Sequence, residues 1–557
     1  MRRILPITCA LLLPLAAFAG WPRGAELNPA LLVDVTEPGL EKIAEAIPGF
    51  IPNPIEIPDI NQSGGVQPVG AYDLSVSNLW LTADIQEADI EPGNGVLTVS
   101  ADGEITIASP QDPFNVTFDV TLFGGNIEVA NCDAWVTAFN VEIDADATLD
   151  VEDGALDATI GEVGVEWDVT NDNVELECWI GDMDDVLDYV NLSPINLALD
   201  FIKDYLVTVI DDQKPQIEQL LEDSFAAANI EQQIDLAGNT LNVALHPEDV
   251  QITPDGVRVI AAGGMSAANS NPCVAEYGHT ESLQTDSPSP GIGEAPNNVY
   301  PHMAVYVPDD LLNQGLFAVY DAGLLCYTLQ GDVPIPITTD LLTILNGDAF
   351  APLFPSSQPM VIKTRPVNVP TATPEGDGDI NVQVEDLGLD FIAELDGRQA
   401  TILATDLDVD AGADVLFDNQ TGLLSIGVEL GAENISPAIR LNEFAPGQDE
   451  AILSSFGSLV NTLVGPLLGG ALDNLSFPLP SFNGFGLTSA EIEPAGDNED
   501  FFGVFARVGD VPYENAAGCD GGEGCSTGCG TGGIGGLWLG LPLGFALRRR
   551  RSPQASK

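Results

Sequence analysis

Long runs of period-two alternation constrain this chain first. Between Tyr72 and Glu177, apolar and polar residues alternate in Val96-Leu-Thr-Val-Ser, Ile105-Thr-Ile, Phe114-Asn-Val-Thr-Phe-Asp-Val-Thr-Leu and Val141 through Val151. Successive side chains on a strand point to opposite faces, so each run makes one apolar and one wet face. Asn94-Gly95, Asp102-Gly103 and Asp153-Gly154 supply turn residues between the runs. The expectation is an antiparallel meander with one face in water.

The period then changes. After Ser193-Pro194, a cap and a first-turn proline, apolar residues recur at Ile195, Leu199, Ile202, Leu206 and Val209, widened by Phe201, Tyr205 and Ile210. That spacing predicts a long amphipathic helix, kinked near Pro215 and continuing through Ile217, Leu220, Leu221 and Phe225. Strands return at Leu241 to Leu245 and Val257 to Ala261. Residues 266–300, rich in Ala, Asn, Ser, Pro and Gly, read as a linker. Beyond it the plan repeats: strands from Met303 to about Leu430, and a second helical stripe at Leu453, Phe456, Val460, Leu463 and Leu467, completed by Leu459, Val464 and Leu468. A closing strand runs from Phe502 to Val508. The fold class is α+β, mostly β, with a curved sheet plus one long helix over 20–265, the linker, and a second such unit over 301–513.

The two ends read differently. Residues 1–19 have the order of a signal peptide: Arg2 and Arg3, an apolar run from Ile4 to Leu15, and Ala17-Phe18-Ala19 as a cleavage site. Residues 514–533 form a Gly-rich tether with Cys519, Cys525 and Cys529. The tail 534–557 follows, an apolar run from Ile534 to Leu547 and then Arg548, Arg549, Arg550 and Arg551. The plain reading is a stop-transfer, transmembrane anchor. The order also resembles the Cys-containing C-terminal sorting signals of myxobacterial surface proteins. Export to a bacterial cell surface and C-terminal tethering there are the expectation.

Charge excludes whole classes of partner. The chain has 17 Lys+Arg against 85 Asp+Glu, and seven of the basic residues lie in the two end segments. A phosphate backbone needs the opposite sign, so nucleic acid is excluded, and anionic membranes would be met only through the tether or through non-specific divalent cations. With 45% hydrophobic residues the chain must nevertheless fold. Besides Cys9 and the tail three, the cysteines are Cys132, Cys178, Cys273 and Cys326. In an exported protein an even set favours disulfides over metal. Three connectivities are possible, and the expected one is Cys132 with Cys178 and Cys273 with Cys326.

No catalytic set stands out. Gly524-Cys-Ser526-Thr-Gly528 matches a nucleophile elbow and Gly528, Gly530 and Gly533 a dinucleotide fingerprint, but both fall in the Gly-rich tether without a preceding strand. His246, His279 and His302 are not spaced to share a metal. Asp406-Leu-Asp408-Val-Asp410 could open a calcium loop, yet Ala411 stands where that loop needs glycine and Phe417 where it needs glutamate. On a strand the three aspartates are one wet face. No cofactor, no metal and no enzymatic activity are expected.

Three segments carry a further resemblance. Asn28 through Leu40, Met303 through Leu324, and the stretch from Leu459 through Phe477-Pro478-Leu479-Pro480 to Phe501–Val508 are similar, in order, to the bactericidal/permeability-increasing protein and lipid-transfer family. That resemblance implies a boomerang of two tubular barrels, each a twisted antiparallel sheet wrapped on a long helix, joined by a central sheet. It also implies a phospholipid or similar two-tailed amphiphile held in apolar slots, with Leu199, Ile202, Leu206, Val209, Leu459, Leu463 and Leu467 as lining residues. This chain departs from the family in three respects: its first helix, Leu40 to Ile47, is cut short at Pro48; the family's disulfide joins a strand to the long second helix, which here carries no cysteine, so Cys178 needs a strand partner such as Cys132; and its charge is opposite to that of the cationic antibacterial members. The rival expectation is an acidic structural or adhesive surface module, calcium-stabilised and without lipid.

Overall fold

The computed structural model describes residues 26–509 except 67–69, 123–124, 170–172, 179–193, 226–227, 237–238, 276, 280–287, 295–300, 333–335, 375–378, 419–422, 430–431, 458, 460–475 and 479–485. The described residues belong to one compact unit. Their strands form three antiparallel sheets, one in each half of the chain and a central one shared by both.

In the first half, the strand Gly125–Glu152 is the spine. Along one edge it pairs with Phe114–Leu122 and Leu97–Ile107, and along the other with Val174–Cys178 and Ala155–Trp167. Alternation survives intact: Leu97, Val99, Ala101, Ile105 and Ile107 are buried while Thr98, Asp102 and Glu104 are exposed. Asp102-Gly103 is not the expected turn. It lies inside the strand Leu97–Ile107, and Gly103 is needed there because a Cβ would come within 2.6 Å of the Asp84 carbonyl oxygen. That contact sits beside a bulge between Ile85 and Glu87, where the partner backbone crowds in.

Two helices cover the buried face of this sheet, Pro194–Asp211 and Lys214–Ser224. The break comes at Asp212 and Gln213 because Pro215 lacks an N–H and can only occupy a first turn. Leu199, Ile202, Leu206 and Ile210 on the first helix, and Ile217, Leu220 and Leu221 on the second, with Phe225 just beyond it, join one core with the sheet. Full burial of such a side chain contributes ~1.5–3 kcal/mol, which holds the helices where propensity alone would not. The short first helix spans Glu37–Ala44 and is followed by a 3₁₀ turn at Ile47–Phe50.

The central sheet runs in the order Ile230–Leu236, Asn239–Thr253, Gly256–Ala267, Leu27–Thr36, Met303–Pro308, Phe501–Gly509, Gly486–Ala495. The N-terminal strand thus pairs with the first strand of the second half, Leu32 opposite Tyr306 and Val35 opposite Met303. Its residues from Ala30 to Thr36 are all buried, which explains an apolar run that only Asp34 interrupts before Thr36. Asp34 stands opposite Arg258 on the next strand. Arg258 Nε and Nη2 each lie 2.7 Å from an Asp34 carboxylate oxygen, and both side chains are at most 5% exposed.

The expected linker closes over this pair. Arg258 also donates to the carbonyls of Pro290 at 2.6 Å and Gly291 at 3.0 Å, and the Gly293 N–H donates to Asp34 at 2.9 Å. The guanidinium lies over the Tyr306 ring, 5.5 Å from its centroid. Burial pushes the Tyr306 phenol up, and it donates to the Glu294 carbonyl at 3.1 Å. Residues 290–294 are therefore a strap packed on the sheet. Cys273, in a helical turn of the same segment, is disulfide-bonded to Cys326. Cys132 is also disulfide-bonded, and Cys178 is the residue opposite it in register. We propose that these two are partners; a non-reducing digest should yield one cross-linked peptide holding both, and any other partner for Cys132 contradicts the pairing.

The second-half sheet is ordered Pro336–Ile337, Thr328–Asp332, Met360–Pro366, Asp379–Leu395, Arg398–Asp418, Leu423–Glu429, Ser476–Pro478, with Thr371–Pro374 and Ile435–Leu441 pairing beside it. The expected strands between Met303 and about Leu430 are present but are interrupted by helices. Helices occupy Asp309–Asp321 and Asp340–Phe350. Asp309 and Asp310 sit in the first turn of the former, where negative charge suits the helix dipole. Asn313 ties that helix to the strand at Ala372, and the Met265 N–H donates to Gln314 Oε1 at 2.7 Å. A third helix, over 449–457, buries Ile452 and Phe456 against Leu341, Leu342, Phe350 and Phe391.

Asp309 carries a pH signature. Burial, then Asp310 and Asp500, push its carboxyl up to about 6. Because the folded value exceeds the unfolded one, its contribution is fully present below the unfolded value and is lost as pH rises through about 6. Asp309→Asn should raise stability at pH 7.5 by about 1 kcal/mol, a figure discounted for half-exposure, and leave stability at pH 4 unchanged. Urea unfolding at both pH values is the check.

The expected transmembrane anchor is also corrected: among the described residues no helix is long and apolar enough to cross a membrane. The segment expected to be a signal peptide, residues 1–19, and Cys519, Cys525, Cys529, the 534–547 run and Arg548 to Arg551 lie outside the described residues.

Candidate functional site

Where the helix pair breaks, its apolar stripe and the sheet do not close completely. Ile210 and Ile217 face the sheet from either side of the break, with Gln213 and Lys214 between them. The sheet contributes Val99, Ser100 and Ala101 from one strand, Ile143 and Ala145 from the spine, and Ile160 and Val163 from the next. Ile47 and Ile51 close the third side from the 3₁₀ turn. The space between these residues is about 490 Å³ with the open solvent at its mouth included, and only a small part of it is enclosed. The small residues at Ala101 and Ala145 leave the space that a larger pair would fill.

The polar groups are few: Ser100 on the sheet, and Gln213 and Lys214 at the helix break. The Lys214 side chain is 20% exposed and its Nζ lies 2.7 Å from Asp211 Oδ1. The outward face of the same strands is acidic: Glu87 is opposite Asp102, Asp102 opposite Glu142, and Glu142 opposite Glu166. Like charges in register cost stability, so that face is held by the core beneath it.

The lining residues expected from the sequence fall elsewhere. Leu199, Ile202 and Leu206 are buried in the helix–sheet core and Val209 packs against it, but none of them lines the slot. Leu459 is buried in the second-half core, while Leu463 and Leu467 lie outside the described residues. The sequence signal for the slot was Pro215, which forces the break around which it opens.

The other chemical candidates resolve into structure. Asp406 accepts from Arg365 at 3.3 Å and Arg440 at 3.1 Å, and Asp408 accepts from the Asp386 N–H at 2.9 Å, within the strand Arg398–Asp418. His302 Nδ1 lies 3.1 Å from the Val508 nitrogen, and burial lowers its pKa. His246 meets Glu26 and His279 stacks on Tyr277, so the three histidines are dispersed. Among the described residues no group of three or more His, Cys, Asp or Glu could hold a metal ion.

No family model and no curated protein matches this chain. Solved structures do. A crystal structure of lipopolysaccharide binding protein aligns over 87% of this chain and 99% of its own, with a TM-score of 0.50 and 13% identity. This chain has the fold of lipopolysaccharide binding protein. P47 from Clostridium botulinum A2 aligns over 86% of this chain and 97% of its own, with a TM-score of 0.29 and 8% identity. The likeness to lipopolysaccharide binding protein accounts for the architecture described above, a boomerang of two curled half-barrel sheets with their helices. Helix and sheet in that fold pack face to face, and the slot lies at such a face.

Proposed function

We propose that this chain is an exported, non-enzymatic lipid-binding protein that holds an acyl lipid in the slot at the helix break. The carrying observation is the slot itself: ten of its lining residues are aliphatic, and it sits between helix and sheet. An apolar, pre-formed space of this kind exposes hydrocarbon to water when empty. Each methylene buried there contributes ~0.8 kcal/mol, so a long tail can supply the affinity before ordering costs are subtracted. Phospholipid is the proposed ligand. No group in the slot has the nucleophile–base geometry of a hydrolase.

Export is supported by the Cys273–Cys326 disulfide, since such bonds persist in oxidising compartments. The Cys- and Arg-containing tail is proposed as a surface-sorting signal, which intact-mass analysis of the mature C-terminus tests. Lipid binding is tested by titrating the purified protein with a fluorescent phospholipid. Saturable binding displaced by unlabelled lipid supports the reading, and absence of uptake by delipidated protein ends it.

A further inference from the structure

The slot has a charged mouth in a half of the chain that is nearly without cations. Between Lys42 and Lys203 there is no lysine, arginine or histidine. Of the cations that follow, Lys203 lies over the Trp167 ring and Arg258 is committed to Asp34 and the strap. Lys214 is the cation that lines the slot. Its stem is largely buried among the isoleucines on either side of the break, and its ammonium meets the half-exposed Asp211. The charge therefore lies toward the solvent end and the hydrocarbon toward the slot, the arrangement expected of a long basic side chain on an apolar surface. An ammonium has three donors, and Asp211 occupies one of them.

We propose that the slot selects an amphiphile with an anionic head group, a phosphate or carboxylate, whose oxygens are met by Lys214 while the tail lies against Ile143, Ile160, Ile210 and Ile217. The proposal rests on the lipid-binding reading and adds the sign of the head group to it. Asp211 opposes the ligand: it competes for the same ammonium and repels the same anion. Selectivity is thus set by a lysine and an aspartate three residues apart, on a surface whose overall charge would otherwise repel anionic lipids.

The test uses the full-length exported protein, delipidated, titrated with fluorescently labelled phosphatidylglycerol, phosphatidylcholine and a free fatty acid. Lys214→Met keeps the stem and removes the charge. It should weaken phosphatidylglycerol or fatty-acid binding on the order of fivefold to tenfold and leave phosphatidylcholine within about twofold, with Lys214→Arg restoring the difference. Asp211→Asn should strengthen anionic binding, a gain that a purely structural lysine–aspartate pair would not produce. The phosphatidylglycerol and fatty-acid arms separate a phosphate from a carboxylate head. Equal binding of all three lipids, unchanged in Lys214→Met, overturns the head-group assignment and leaves lipid binding standing. If none of the three binds, both fall.

Discussion

Methionine in place of Arg258 should destabilise the protein by ~3–5 kcal/mol, because it leaves the Asp34 carboxylate buried without its partner. Asp34 is fully buried and receives two guanidinium hydrogen bonds and one from the Gly293 N–H. Removing Arg258 deletes two of the three, together with the donors to Pro290 and Gly291 that hold the strap. The strap should loosen at the same time, so limited proteolysis at residues 290–294 should accelerate with the fall in stability. The double variant Asp34→Leu with Arg258→Met removes both charges and should recover most of the loss, since an apolar pair of similar volume often replaces a buried ion pair at little cost. A loss below about 1 kcal/mol for Arg258→Met in urea unfolding would contradict the arrangement.

The second large effect concerns the slot. Ala145→Phe places a ring in the slot and should reduce lipid affinity at least about tenfold, while costing less stability than the same change outside the slot, because part of the ring enters the open space. Ala147, two residues along the same face of the spine, is fully buried and outside the slot. Phenylalanine there must displace core and should cost ~1–3 kcal/mol. The contrast between neighbouring positions separates a real cavity from a filled core. Undiminished lipid binding by Ala145→Phe would place the ligand elsewhere.

Local chemistry made the first half legible in sequence. Alternation around Val99 and Ile143 sets the faces of the sheet, and the spacing of Leu199, Ile202 and Leu206, with Pro215 after it, sets the helix and its break. What escaped was what depends on distant residues. Asp34 and Arg258 are separated by 224 positions, and nothing in either segment announces the other. The Asp102-Gly103 pair has turn chemistry, yet a bulge on the neighbouring strand uses the glycine for close approach. In the second half, Pro308-Asp309-Asp310 was a helix start hidden inside an apolar stretch that also suits strands. The most regular part of the helical stripe, at Leu199, Ile202 and Leu206, is buried against the sheet, whereas the slot opens where regularity fails, at Gln213 and Lys214.

The reading of this chain as a lipid carrier is tested most directly by mass spectrometry of organic extracts from protein purified without detergent. The account predicts a co-purifying acyl lipid near one equivalent per chain, depleted in Ala145→Phe. Protein that is repeatedly lipid-free, and that takes up no fluorescent lipid, would contradict it.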